Sequence, residues 1–298
     1  MPTSSVRTRR ALWGVPLLLL LILLPSVRLV AAGTEPAPAA SNAEVEPNRF
    51  RFMHAIHQRH TPNLREFGFE KVGFVYGHAL WSGQQDQDTV PENRARVVAY
   101  RYRLDAPFVI NIEHWQTWGD PSVVDATIDR FTRLIGFMRE ANPDMRLGIY
   151  SMLPLRDYWR ARKGPGHPQY EHWMRQNRRL KPLSEHVDFI FPSLYAFYRD
   201  QAKWEEYALA NIEAARMYGK PVYPFLMPRY HHGGDFRDMK QPPEVEPERW
   251  RAMLRFCTEH ADGLVIWSGP GIEWSFDADW WRATVAFMRE YRRKHGLH

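Results

Sequence analysis

Cysteine is almost absent from this sequence: Cys257 is the single one in 298 residues. That excludes an intrachain disulfide and any zinc cage built on thiolates. No HExxH signature occurs, and no GxGxxG turn follows the first strand-like run, so a dinucleotide fold lacks its best signature. Acidic residues are missing from the first 32 positions, where Arg7, Arg9, Arg10 and Arg28 lie. The formal charge of +6 therefore falls to +2 for the rest of the chain. A near-neutral domain lacks the clustered basic face that nucleic acid demands, so no nucleic-acid partner is expected. Long apolar runs are scarce too. Ala11–Leu24 spans 14 residues, whereas a membrane span needs about 20.

The flanks of that run have the form of an export signal. Arg7, Arg9 and Arg10 make a positive start, and Val30-Ala31-Ala32 offers small side chains at a cleavage point before Gly33. A cleaved signal over 1–32 is expected, giving a secreted or periplasmic protein with no stable membrane partner; a retained anchor is the rival. No cysteine near the cut invites a lipid. Residues 33–48, rich in Pro, Ala, Ser and Glu, read as a flexible linker. The folded domain is expected over 49–298.

Within it, short apolar runs alternate with longer helical ones. Lys71–Tyr76, Phe108–Glu113, Arg146–Ser151, Asp188–Tyr195, Pro221–Leu226 and Gly263–Ser268 are rich in Val, Ile, Phe and Tyr. Near-continuous apolar character marks strands buried on both faces. Ser122–Ala141, Gln201–Tyr218, Pro247–His260 and Ala278–Lys294 have helical spacing; in the first, Val124, Ile128, Phe131, Leu134, Ile135 and Met138 fall on one stripe. The alternation predicts an α/β fold with a parallel sheet. With one or two more strands in 49–103, the expectation is a single-domain TIM-like (β/α) barrel of seven or eight parallel strands.

Aromatics are abundant, with 12 Trp, 13 Tyr and 16 Phe. Flat side chains fill cores, and they also line sites for flat apolar faces such as that of a sugar ring. A barrel enzyme places its groups at the C-terminal ends of its strands. Those ends deliver Asn111 and Glu113 with Trp115 just beyond, then Tyr150, Tyr195, Phe225 with Arg229 and Tyr230, and Trp267. Asn111 and Glu113 are two apart on a strand and point the same way. A carboxyl group buried among Trp and Tyr keeps its proton more readily than one in water, and a general acid for glycosidic cleavage needs that. Glu113 is expected to be so buried; an ion pair with a nearby Arg is the bland alternative.

These segments resemble one known family. VINIEHW resembles the D-x-E-x-W strand of the hyaluronidases, a family of barrel glycosidases. IFPSLY resembles their FPS-x-Y strand, PVYPFLMPRYHH their P-V-x-P-Y strand, and GLVIW their G-x-x-IW strand, all in the same order. The resemblance implies one Glu acting as acid and then base, with the 2-acetamido oxygen of the substrate as nucleophile, an exception to the two-carboxylate rule. By matching positions, Glu113 is the acid/base, and Asn111 stands where the family has Asp. Tyr195 and Trp267 would contact the acetamido group, with Trp267 stacking on the ring. The chain departs from the family in several places. Asn111 carries no charge, though its carbonyl oxygen accepts a hydrogen bond. Phe225 replaces a Tyr, the paired cysteines are missing, and the segment after Glu113 is shorter.

Two readings follow. One is an exported glycoside hydrolase on a polysaccharide or glycan, with N-acetylhexosamine as the implied sugar and no cofactor. The other is a catalytically weak or inactive barrel that binds carbohydrate. Asp157 and Glu273, both in loops after strands, are the alternative carboxylate partners for Glu113; Asp188 starts its strand and lies at the wrong end. His54, His57 and His60 recur every third residue, and His231 and His232 adjoin, but neither spacing is a metal-binding helix pair, so no metal is expected. His114 should point away from Glu113. Arg156, Arg160, Arg162 and Lys163 form either a solvated surface or a contact for an acidic sugar.

Overall fold

The computed structural model describes residues 50–81 and 86–297. The expected signal over 1–32 and linker over 33–48 lie outside the described residues. Among those described, no helix is long and apolar enough to cross a membrane.

Among the described residues seven strands form: β1 (Arg51–Ile56), β2 (Glu70–Lys71), β3 (Gly73–Tyr76), β4 (Phe108–Asn111), β5 (Leu147–Ile149), β6 (Phe225–Leu226) and β7 (Gly263–Ser268). The helices are α1 (Gly77–Trp81), α2 (Glu92–Arg101), α3 (Pro121–Ala141), α4 (Pro168–Arg179), α5 (Lys181–Ser184), α6 (Gln201–Arg216), α7 (Pro247–His260) and α8 (Asp279–Lys294). All strand pairs are parallel, in the orders β2-β1-β7-β6 and β3-β4-β5. Val72 separates β2 from β3, and its N–H donates to His54 O at 3.1 Å. Single-pair bridges Tyr150↔Phe191, Ile190↔Val222 and Ser193↔Phe225 lead from β5 to β6. The chain at Val72 and these bridges connect the two sheets, and β7 pairs with β1, the strand order of a TIM-like (β/α) barrel.

The expected strand Asp188–Tyr195 survives only as these bridges, and Pro221–Leu226 shrinks to β6. Pro192, Pro221 and Pro224 have no N–H to give to a ladder. Their carbonyls still accept, from Phe225 N at 2.8 Å, Ile190 N at 2.9 Å and Val265 N at 2.9 Å. The four expected helices form as α3, α6, α7 and α8. Asp120 caps α3 by accepting from Ser122 N at 2.8 Å, and Asp200 caps α6 through Lys203 N at 2.9 Å. On α3, Val124, Phe131, Leu134, Ile135 and Met138 are buried, as their spacing predicts, and Ile128 is partly so. After β1 no full helix follows, only a single 3-10 turn, Leu64–Phe67.

Most of the tryptophan serves the core. Trp81, Trp115, Trp173, Trp204, Trp250, Trp280 and Trp281 are fully buried. Trp204 Nε1 donates to Leu194 O at 3.0 Å and Trp250 Nε1 to Thr284 Oγ1 at 2.7 Å, so their polar ends are satisfied. Cys257 is fully buried on α7, as expected of a small hydrophobe.

One core group makes stability depend on pH. His54 on β1 is 4% exposed, and its Nδ1 meets no protein partner. Burial, with Lys71 and His57 nearby, pushes its pKa down from 6.5 to about 4. Between those values the unfolded chain binds the extra proton and the folded chain does not. Stability therefore rises with pH across that window and is lost on acidification towards 4, by roughly 3 kcal/mol for such a shift. Urea titrations from pH 4 to 7 should show this slope, and His54→Gln should flatten it. An equal slope in both proteins would acquit His54.

Candidate active site

A cleft of about 660 Å³ opens at the C-terminal ends of the strands, a size typical of ligand sites at roughly 300–1,000 Å³. Asn111 ends β4, Tyr76 ends β3, Tyr150 follows β5, and Trp267 lies near the end of β7. All four line the cleft together with Glu113, Tyr195 and Tyr230. The structure therefore gathers most of the sequence candidates.

Two candidates do not line this cleft, although Trp115 borders the smaller cavity beside it. Phe225 is fully buried inside the barrel, against Tyr150 at 4.9 Å and Phe191 at 5.7 Å between ring centroids. It lies one step too deep, and Met227, two residues on, lines the cleft instead. Trp115 is buried on the helix side, edge-on to Phe131 at 4.8 Å, with Nε1 donating to Gln87 O at 2.8 Å. The strand stops at Asn111, so strict alternation does not reach Trp115. The same early stop leaves Glu113 exposed rather than buried among aromatics. His114 is exposed as well, with its ring against Trp81 at 5.0 Å and away from the cleft lining.

The aromatic wall is ordered by its polar ends. Trp267 Nε1 donates to Tyr76 Oη at 2.9 Å, and Tyr150 Oη donates to Ser193 Oγ at 3.1 Å. Tyr195 faces Tyr150 at 6.1 Å, Trp267 at 6.0 Å and His231 at 5.5 Å. Burial raises the pKa of Tyr150 and of Tyr76, and raises that of Tyr195 furthest. All three stay neutral phenols at ordinary pH. Burial lowers that of His231, whose Nδ1 sits 2.7 Å from His232 O, so this imidazole is neutral at pH 7. Tyr230 has less freedom: it stacks on Phe236 at 4.0 Å and donates its hydroxyl to Glu246 Oε2 at 2.6 Å.

The charges are few. Arg156 lines the cleft beside Glu113; burial alone would lower its pKa, but Tyr150 and Glu113 outweigh that and raise it. Its neighbours in the basic run go elsewhere. Arg160 pairs with Asp157, and Arg162 with Glu206 at 2.9 Å. Asp157 is buried and caps its own loop, while Glu273 is exposed and pairs with Arg59 at 3.1 Å and with His60; neither lines the cleft. Asp188 accepts from Leu147 N at 2.9 Å at the start of β5, the opposite end. Among the described lining residues the second carboxylate is Glu244, held by Arg229 at 3.5 Å. Oδ1 of Asn111 is buried and meets no protein donor. His54, His57 and His60 diverge, and among the described residues no group of three His, Cys, Asp or Glu is arranged to hold a metal.

Tyr76, Gln58 and Glu244 were not singled out as cleft residues from sequence, and Arg156 was named only within a run of four basic residues. Tyr76 ends KVGFVY, so the strand-end rule that selects Tyr150 selects it too. Gln58 follows β1, a strand the histidine spacing disguised; its Nε2 donates to Ser268 Oγ at 2.8 Å.

Fold and cleft together define a TIM-like (β/α) barrel with an aromatic-walled cleft at the C-terminal ends of its strands. Solved structures agree at that level. The chain is similar to bee venom hyaluronidase, with 15% identity and a TM-score of 0.52 over 83% of this chain and 98% of that one. It is also similar to the hyperthermostable endo-1,4-β-D-mannanase from Thermotoga petrophila RKU-1, with 13% identity and a TM-score of 0.50 over 77% of this chain and 76% of that one. The remote resemblance to hyaluronidases is supported at the level of the fold. No protein-family model and no curated protein sequence matches the chain.

Proposed function

We propose that this chain is an exported glycoside hydrolase acting on a glycan that contains N-acetylhexosamine, with Glu113 as acid and then base. The observation that carries this reading is the carboxylate inventory of the cleft. Of the two described carboxylates in its lining, Glu244 is engaged by Arg229, which leaves Glu113 as the free one. A mechanism with a single working carboxylate takes its nucleophile from the substrate. Asn111 Oδ1, which meets no protein donor, is an acceptor suited to an acetamido N–H, and Tyr195 lines the same wall. Trp267, fixed by Tyr76, offers its face to the ring. A reducing-end assay of the full-length protein on hyaluronan, chondroitin, chitin oligosaccharides and mannan tests the reading; cleavage confined to mannan would sink the N-acetyl assignment. Export is tested by sequencing the native N-terminus, which should begin near Gly33.

The neutral side chain of Asn111 favours a second reading, a barrel that binds carbohydrate without cutting it. Asn111→Asp separates the two. For a hydrolase it places a charge beside the acetamido N–H, and charge-assisted bonds are about twice as strong as neutral ones. Turnover on N-acetylated glycans should then hold or rise, by up to about tenfold. For a binder it adds a carboxylate beside Glu113 and should only lower the melting temperature.

A further inference from the structure

The cleft does not end at Glu113. A second cavity of about 250 Å³ opens beyond it, walled by Gln116, Trp118, Ser151 and Arg160. Glu113 and Arg156 line both cavities. Trp118 is 58% exposed, in a chain that buries most of its tryptophan. Its backbone is fixed, since Gln116 Nε2 donates to Trp118 O at 2.6 Å and the neighbouring Thr117 is buried.

We propose that the smaller cavity is the subsite for the departing part of the glycan, and that Trp118 is the platform on which the first departing ring stacks. This rests on the hydrolase reading above. The larger cavity holds Asn111, Tyr195 and Trp267, the groups suited to the ring that reacts. Glu113 protonates the bridging oxygen, so that oxygen lies at the junction of the two cavities, and the departing ring lies beyond it. Cleavage breaks the bond between the anomeric carbon and the bridging oxygen. That oxygen takes the proton of Glu113 and leaves as an alcohol, while the acetamido oxygen bonds the anomeric carbon. Water then adds to that carbon, releases the acetamido oxygen and returns a proton to Glu113. Water can enter only after the departing ring has gone, and an open subsite lets it go. Gln116, Arg156 and Arg160 offer donors for sugar hydroxyls, and the exposed indole offers a flat apolar face. The substrate is then a chain that threads both cavities and is cut at an internal bond.

The test compares two substrates built from whichever glycan of the panel is cleaved. One is a methyl glycoside, with no ring on the departing side; the other carries sugar rings there. In the native protein kcat/KM should be higher on the extended substrate. Trp118→Ala should reduce that advantage by about tenfold, a loss of roughly 1.4 kcal/mol of contact, and Trp118→Phe should keep most of it. An unchanged ratio in Trp118→Ala would overturn the subsite while leaving the hydrolase reading intact. If no glycan of the panel is cleaved, the hydrolase reading fails and takes this inference with it.

Discussion

Glu113→Gln should lower hydrolysis of any glycan the protein cleaves by about 10²–10⁴-fold, the usual worth of a general acid. The exchange keeps the shape of the side chain and most of its hydrogen bonding but leaves no proton to donate and no base to recover it. The phenols, His231 and Glu244 of the described lining are poor substitutes. The phenols of Tyr150, Tyr195 and Tyr76 are held neutral by burial, too weakly acidic to protonate a leaving oxygen. His231 is depressed by burial and has little proton to offer at pH 7. Glu244 is bound to Arg229. On the proposed function affinity should survive, because the exchange leaves the aromatic wall untouched. Steady-state rates together with calorimetric titration of the uncleaved glycan separate the two effects. Full activity in Glu113→Gln would exclude Glu113 as the acid, whatever the fold.

The exposure of Glu113 shows where sequence reading stops. Strand and helix alternation was legible because apolar periodicity survives as packing: α3 buries the stripe its spacing announces. The cleft was legible through one topological rule, that parallel strands present their last residues to a common mouth. That rule gathers Asn111, Tyr150, Tyr195 and Trp267. It fails where a strand ends earlier than its apolar run suggests. β4 stops at Asn111, so Glu113 swings into solvent and Trp115 turns to the helices. It fails also in depth, since Phe225 has the right face but lies inside the barrel. β1 was hidden by His54 and His57, polar residues in a buried strand and at its end. α2 and α4 carry too few apolar residues for their period to stand out. Arg156 shared a basic run with three other residues, and nothing local says which of four cations a fold will turn inward.

The loop that carries Arg156 is capped by the residue after it. Asp157→Ala should cost about 3–5 kcal/mol, the range for stripping one partner from a buried ion pair. Asp157 is 4% exposed. Its carboxylate accepts from Trp159 N at 3.0 Å, from Arg160 N and from the Arg160 guanidinium. Removing it takes this acceptor from three backbone donors, Ala161 N at 3.4 Å being the third, and leaves the Arg160 guanidinium only Gln176 at 2.9 Å. The loop is pinned from both sides. Asn211 of α6 donates to Asp157 O at 3.1 Å, and Leu155 N donates to Asn177 of α4 at 2.8 Å. Arg156 lies between these two anchors, so its approach to Glu113 is set by them and not by its own side chain. The melting temperature of Asp157→Ala should fall by on the order of 10 °C. Asp157→Asn, which keeps an acceptor for the backbone but loses the charge facing Arg160, should fall by less. If the protein is a hydrolase, activity at a temperature where both variants remain folded should drop with the order of the loop, because Arg156 lines both cavities together with Glu113. A melting temperature within 1–2 °C of the native value in Asp157→Ala, a change of under about 1 kcal/mol, would mean that the loop holds its shape without this carboxylate and that α4 and α6 alone position Arg156.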